Sequence, residues 1–183
     1  MDDKTETEDI ISHKNTGETI SQKNSGEMKY QNRVERALNN FSSGYNCAQS
    51  TLSAFAEDFG VKEEDAINYA TGFGSGMATG RICGVCTGAD MAIGLYTRDI
   101  PDIHERKKVA YALAKEFLER FEEVHGAVNC IDLLGYDHTD LEEEEKQPIE
   151  KRPKTVCRKF IGDAIVILSE IVEKHKERKE EQI

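Results

Sequence analysis

Hydrophobic residues recur along most of this chain at intervals of three and four positions, the spacing of one face of an α-helix. The first pattern starts at Met28 and predicts a helix whose apolar face is Tyr30, Val34, Ala37, Leu38 and Phe41. Ser43 is the expected N-cap of a second helix ending at Gly60, whose apolar face is Cys47, Ala48, Thr51, Leu52, Phe55 and Phe59. A short third helix is expected from Glu63 to Ala70.

The central part of the chain is rich in glycine. Four of them fall between Gly72 and Gly80, directly before Cys83, so this stretch is expected to be flexible or closely approached by other groups. No Lys-Ser or Lys-Thr pair follows, and nucleotide binding is therefore not expected. A helix of small residues is predicted next, from Cys83 to Tyr96.

Two longer amphipathic patterns occupy the C-terminal half. Asp102 and Glu105 have the outline of a capping box before a helix that ends at Gly126, with a core face of Ala110, Leu113, Ala114, Phe117, Phe121 and Val124. Residues 129–134 predict a short helical turn, and residues 140–145 an acidic, solvated loop. Pro153 stands near the start of a last helix, which frays from Glu173 and whose stripe is Cys157, Phe160, Ile161, Ala164, Ile165, Leu168, Ile171 and Val172.

Sustained strand alternation is absent, so the predicted fold class is all-α: an antiparallel bundle of about five to six helices. Residues 1–27 have almost no large apolar side chains and carry a short imperfect repeat. Such a segment cannot bury enough surface to offset its ordering entropy. We therefore expect a disordered polar tail over 1–27 and a single domain over 28–183.

Charge and hydropathy exclude several classes of function. The net charge of −11 argues against nucleic-acid binding. No run approaches the roughly 18 apolar residues of a membrane-spanning helix, and the start of the chain lacks the pattern of a signal peptide. We expect a cytoplasmic protein that does not span the membrane.

Five cysteines in a reducing compartment disfavour a static disulfide framework. Buried structural thiols, a metal or iron–sulfur site, and redox-cycling thiols remain open. Cys47 and Cys157 lie in the first turns of long helices and Cys83 lies at a loop-to-helix junction, where the helix N-terminus stabilises a thiolate. Cys130 is expected to face inward. We expect these four to meet in one site, although a cysteine often only fills core space.

Other candidate groups near these cysteines carry weaker signals. Cys83 and Cys86 satisfy C-x-x-C, but neither the βαβ setting of a thioredoxin motif nor the second pair of a zinc ribbon is present. His125 and His138 are close enough to Cys130 in sequence to reach the site. Their charged neighbours favour placement at the surface instead.

Four short blocks resemble the C_GCAxxG_C_C family of redox-active proteins, which is named for its cysteine pattern and related to part of the split-Soret cytochromes. The blocks are residues 44–49, 73–89, 129–135 and 157–160. The resemblance implies that the family cysteines are Cys47, Cys83, Cys130 and Cys157, with Gly84 and Gly88 as the glycines of the central, cofactor-binding motif. Cys86 is then an extra thiol that could replace a ligand or resolve a mixed disulfide.

Three functions are compatible with this pattern. The first is an iron–sulfur protein, in which the four thiolates hold a cluster that passes electrons to a partner protein. The acidic surface suits a basic redox partner. The second is a metal-free thiol–disulfide protein that uses the same cysteines as redox thiols. The third is a structural zinc site of four cysteines in a binding or adaptor protein, acting with a membrane transporter.

Overall fold

The computed structural model describes residues 30–181, and this part of the chain is helical with no named strand. Its α-helices are α1 (Gln31–Ser42), α2 (Cys47–Ala56), α3 (Glu63–Tyr69), α4 (Gly84–Thr97), α5 (Ile103–His125), α6 (Cys130–Leu134), α7 (Leu141–Lys146) and α8 (Pro153–Glu180). The all-α class is confirmed. The predicted tail over 1–27 lies outside the described residues.

The helix count slightly exceeds the predicted five to six. The largest difference is α7, which occupies the stretch predicted as a solvated loop. The Asp140 side chain caps this helix, because it accepts the backbone N–H groups of Glu142 and Glu143. A carboxylate cap and acidic residues in the first turn both favour a helix start.

Helix α8 is the central element of the bundle. It packs against α1, α2, α4 and α5, and every residue of its predicted apolar stripe is buried. The helix continues past Glu173, where fraying was predicted, and ends at Glu180. Arg178 and Lys179 in its last turn interact favourably with the helix dipole there.

Helix α2 starts at Cys47 because Asn46, and not Ser43, is its N-cap. The Gln49 N–H donates to Asn46 Oδ1 at 3.0 Å, and the Asn46 N–H donates to Gln49 Oε1 at 2.9 Å. This reciprocal pair is a capping box. Ser43 instead donates its hydroxyl to the Asn39 carbonyl at the end of α1. The predicted N-cap was therefore wrong by three residues, and Cys47 becomes the first helical residue.

The core face of α5 departs from the prediction at its C-terminal end. Val124 is 57 % exposed, whereas the side chain of His125 is only 3 % exposed. Four residues separate His125 from Phe121, so both lie on the same face of the helix. The imidazole is 4.4 Å from the Phe121 ring and 4.9 Å from the Phe160 ring, measured between centroids. The predicted surface position of His125 was wrong.

No helix among residues 30–181 combines the length and the apolar character needed to cross a membrane.

Candidate four-cysteine site

Four cysteines from different parts of the chain line one cavity of about 580 Å³. They are Cys47, Cys83, Cys130 and Cys157, and each is buried. Much of the remaining wall is apolar, formed by Phe41, Leu133, Leu134, Leu141 and Phe160. The cavity opens to solvent, since exposed residues also line it: Tyr45, Lys154 and Arg158. Cys86 is fully buried but does not line the cavity.

Backbone hydrogen bonds hold Cys83 and Cys130 next to each other. The Cys83 N–H donates to the Val128 carbonyl at 2.8 Å, and the Cys130 N–H donates to the Arg81 carbonyl at 2.8 Å. These bonds flank an isolated antiparallel bridge. Two segments that are far apart in sequence are thereby fixed side by side, each at the start of a helix.

The glycine-rich segment before Cys83 forms a constrained loop against this site. Ser75, Met77 and Ala78 have φ values of 52°, 57° and 57°, a left-handed conformation that is costly for residues with a Cβ. The loop is also tightly packed, because a Cβ at Gly76 would lie 2.5 Å from the Arg81 nitrogen. One result is that the Ser75 N–H donates to the Cys47 sulfur.

Three of the thiols share hydrogen bonds. The Cys83 thiol lies between Cys47 and Cys130 and hydrogen-bonds with both. The bond from Cys83 lowers the pKa of Cys47 to about 7, and the amide N–H groups of Ser75 and Ala48 lower it further against the effect of burial. The same partner lowers the pKa of Cys130, while the pKa of Cys83 is raised by its two thiol neighbours and by burial. Cys83 therefore keeps its proton, and Cys47 is the first to ionise.

The other two thiols are held in the protonated form. Burial is the main cause that raises the pKa of Cys157 and of Cys86. Within the described residues, the Cys157 sulfur accepts no hydrogen bond from a thiol or a backbone amide. The cavity thus has two thiols with lowered pKa values, Cys47 and Cys130, and two that stay protonated, Cys83 and Cys157.

In the metal-free protein, alkylation of Cys47 is expected to rise through pH 7 and to level off above pH 8, because the thiolate is the nucleophile. Mass spectrometry of the Cys47 peptide after brief iodoacetamide pulses between pH 5 and pH 9 measures this midpoint. Cys83→Ala removes the largest cause of the low pKa, so the midpoint should move toward the ordinary value of 9.0. An unchanged midpoint in that variant would show that the thiol hydrogen bond is not the cause.

The two motif glycines allow close packing around the cysteines. A Cβ at Gly84 would overlap the Cys47 sulfur, so only glycine fits at this position. The Gly84 N–H also donates to the Cys130 sulfur. Gly88 lies one turn further along α4, against α2. Neither glycine lines the cavity, and cofactor binding by them stays a prediction.

His138 lines the cavity, although its charged neighbours in the sequence favoured the surface. Its side chain is buried, with 8 % of the residue exposed, and it lines the same cavity as the four thiols. Burial lowers its pKa, which favours the neutral imidazole. The predicted surface position was wrong because Leu134, which lines the same cavity and packs against the core, holds this part of the chain on the bundle. Leu134 was the available signal in the sequence.

No three His, Cys, Asp or Glu side chains among residues 30–181 form a group that could hold a single metal ion. The residues available to hold a larger group are the four thiols around the cavity.

Comparison with known protein families matches residues 45–171 to the family described as "Putative redox-active protein (C_GCAxxG_C_C)". The match includes all five cysteines and both motif glycines. No curated protein and no solved structure matches the chain. Because the family match covers more than half of the sequence, the chain belongs to the C_GCAxxG_C_C family, as the order and spacing of its cysteine blocks indicated.

Proposed function

We propose that this protein is a one-electron carrier in which Cys47, Cys83, Cys130 and Cys157 hold an iron–sulfur cluster. The observation that carries the proposal is the convergence of these four thiols on one cavity. Cysteine thiolates are the usual ligands of such clusters, and a bound cluster supplies exchange of single electrons. A ring of thiols around a cavity of about 580 Å³ suits a multi-atom group.

The polarity of the cavity wall supports an anionic occupant. Backbone N–H groups of Ser75 and Ala48 point at the Cys47 sulfur, and that of Gly84 points at the Cys130 sulfur. Hydrogen bonds of this kind stabilise ligating thiolates and tune the reduction potential of a cluster. Cys47 also stands at the N-terminus of α2, where the helix dipole favours negative charge.

The zinc alternative has less support. A structural zinc ion needs four donors at tetrahedral distances from one point. Among the described residues no group of three such donors has that arrangement.

The surroundings of the cavity suit exchange of electrons with a partner protein. The apolar wall limits the access of water, while the opening beside Tyr45 brings the thiols close to the protein surface. The net charge of −11 would steer a basic partner toward the protein, since opposite charges accelerate encounter.

Anaerobic purification followed by iron and sulfide analysis tests the proposal. We expect visible absorbance that bleaches on reduction, with iron and acid-labile sulfide in equal amounts. Stoichiometric zinc would overturn the cluster in favour of the structural site. A colourless, metal-free protein that still fails to bind iron and sulfide on reconstitution would overturn it in favour of thiol chemistry.

A thiol–disulfide function is the second candidate, and the hydrogen-bonded chain of thiols favours it. The Cys47 thiolate would attack a disulfide of a partner protein, forming a mixed disulfide and releasing one partner thiolate. Cys83, once deprotonated, would then attack the Cys47 sulfur, closing a Cys47–Cys83 disulfide and releasing the second partner thiolate. The partner gains the two electrons that the two cysteines lose.

A further inference from the structure

We propose that His138 donates a hydrogen bond from its imidazole N–H to the anionic group that the four cysteines hold, and thereby raises the reduction potential of that group. This inference rests on the proposed function, because it concerns the occupant of the same cavity. It assigns a role to a side chain outside the cysteine motif.

The imidazole of His138 has no hydrogen-bond partner of its own among residues 30–181. Neither ring nitrogen of His138 makes a hydrogen bond within the described residues, and Nδ1 is sealed from solvent. Buried polar groups are nearly always paired, so an unpaired buried imidazole calls for an explanation. Nε2 is not sealed from solvent, and because His138 lines the cavity we assign the donated N–H to this nitrogen.

Local hydrogen bonds hold His138 in place. Asp137 Oδ1 accepts the Thr139 N–H at 3.0 Å and the Thr139 hydroxyl at 2.6 Å, which closes a tight turn around His138. Asp140 directly afterwards caps α7. With both sides fixed, the imidazole stays at the cavity wall without the entropic cost of ordering a free loop.

Within residues 30–181, the cavity wall has no other buried donor of this kind. Apart from the thiols, His138 is the only polar side chain lining the cavity in this range that is buried. Lys154 and Arg158 also line the cavity, but both are exposed and hydrated. A hydrogen bond from a buried imidazole acts in a medium of low dielectric constant, where it stabilises added negative charge most strongly.

The test compares reconstituted wild-type protein with His138→Leu and His138→Gln. We expect His138→Leu to lower the midpoint potential by about 59 mV, a tenfold change in the equilibrium constant of one-electron reduction. His138→Gln keeps an N–H donor and should recover part of the shift. In protein labelled with ¹⁵N-histidine, pulsed EPR of the reduced state should show a weak nitrogen coupling that His138→Leu abolishes.

His125→Leu is the matched control, because His125 is also a buried imidazole but does not line the cavity. It should leave both the potential and the nitrogen coupling unchanged. An unaltered potential in His138→Leu would overturn the inference, as would the strong coupling of a directly coordinated nitrogen. Failure of the wild type to take up iron would instead overturn the proposed function, and this inference with it.

Discussion

A Gly88→Ala variant is expected to lose about 2–3 kcal/mol of unfolding free energy, although alanine is the better helix former. The cause is the close approach of α4 to α2. A Cβ at Gly88 would lie 2.7 Å from the Ala48 carbonyl oxygen and 3.0 Å from Thr51 Cβ. The backbone atom cannot move aside as a flexible side chain would, so the two helices must separate.

Gly94→Ala is the matched control on the same helix. A Cβ at Gly94 meets nothing within 4 Å, and the residue is exposed. This variant should therefore gain about 0.5–1 kcal/mol from helix propensity and reduced chain entropy. Urea unfolding of the metal-free proteins measures both changes as shifts of the unfolding midpoint, with an unchanged slope of the unfolding free energy against urea concentration. Similar losses in the two variants would mean that tight packing at Gly88 is not the cause.

The helices and their buried faces were largely predictable from the sequence, because one periodicity dominates each segment. The stripe of α8 from Cys157 to Val172 is buried throughout, as its spacing of three and four residues predicted. Prediction failed at the start of α2, where Ser43 was favoured over Asn46 as the N-cap. Asn46 followed three residues later by Gln49 is itself a capping-box pattern, and the Gln49 amide also donates to the Ile67 carbonyl and to Thr71.

The candidate site was predictable in part. Helix starts and apolar faces pointed to Cys47, Cys83, Cys130 and Cys157, and the structure places all four on one cavity. Their roles as ligands stay a prediction. The hydrogen bonds among three of these thiols could not be predicted, because they depend on the bridge beside Cys83 and Cys130 and on the left-handed residues before it. Both features arise from contacts between distant segments.

Cys86 shows how little a short motif determines by itself. The C-x-x-C spacing allows Cys86 to share a site with Cys83, but Cys83 is the non-helical N-cap of α4, with ψ at 138°. Cys86 belongs to the first helical turn and is directed into the core. Cys83 therefore lines the cavity and Cys86 does not, although only two residues lie between them.

Cys83→Ser is the substitution with the largest expected effect on the site. It removes a proposed ligand and the thiol that hydrogen-bonds with both Cys47 and Cys130. Loss of a residue that only hydrogen-bonds to a metal ligand lowers metal affinity about 10–100-fold. Removal of a ligand itself should therefore lower cluster occupancy at least tenfold. Iron and sulfide content, visible absorbance and the EPR signal of the reduced protein measure this loss. Far-ultraviolet circular dichroism should remain close to wild type, because the serine keeps a small polar side chain at the cavity wall.

Cys86→Ser should lower the stability of the protein and leave the cluster in place. Its hydroxyl would be buried in the core without an established partner, which costs about 1–3 kcal/mol of stability. The cluster signal should persist, since Cys86 does not line the cavity. Cluster occupancy and urea stability, measured for both variants, separate the two roles. Cys83→Ser should lower cluster occupancy, and Cys86→Ser should lower the stability of the protein. If Cys86→Ser lowers occupancy more than Cys83→Ser does, Cys86 is a ligand and the assignment of Cys83 is wrong.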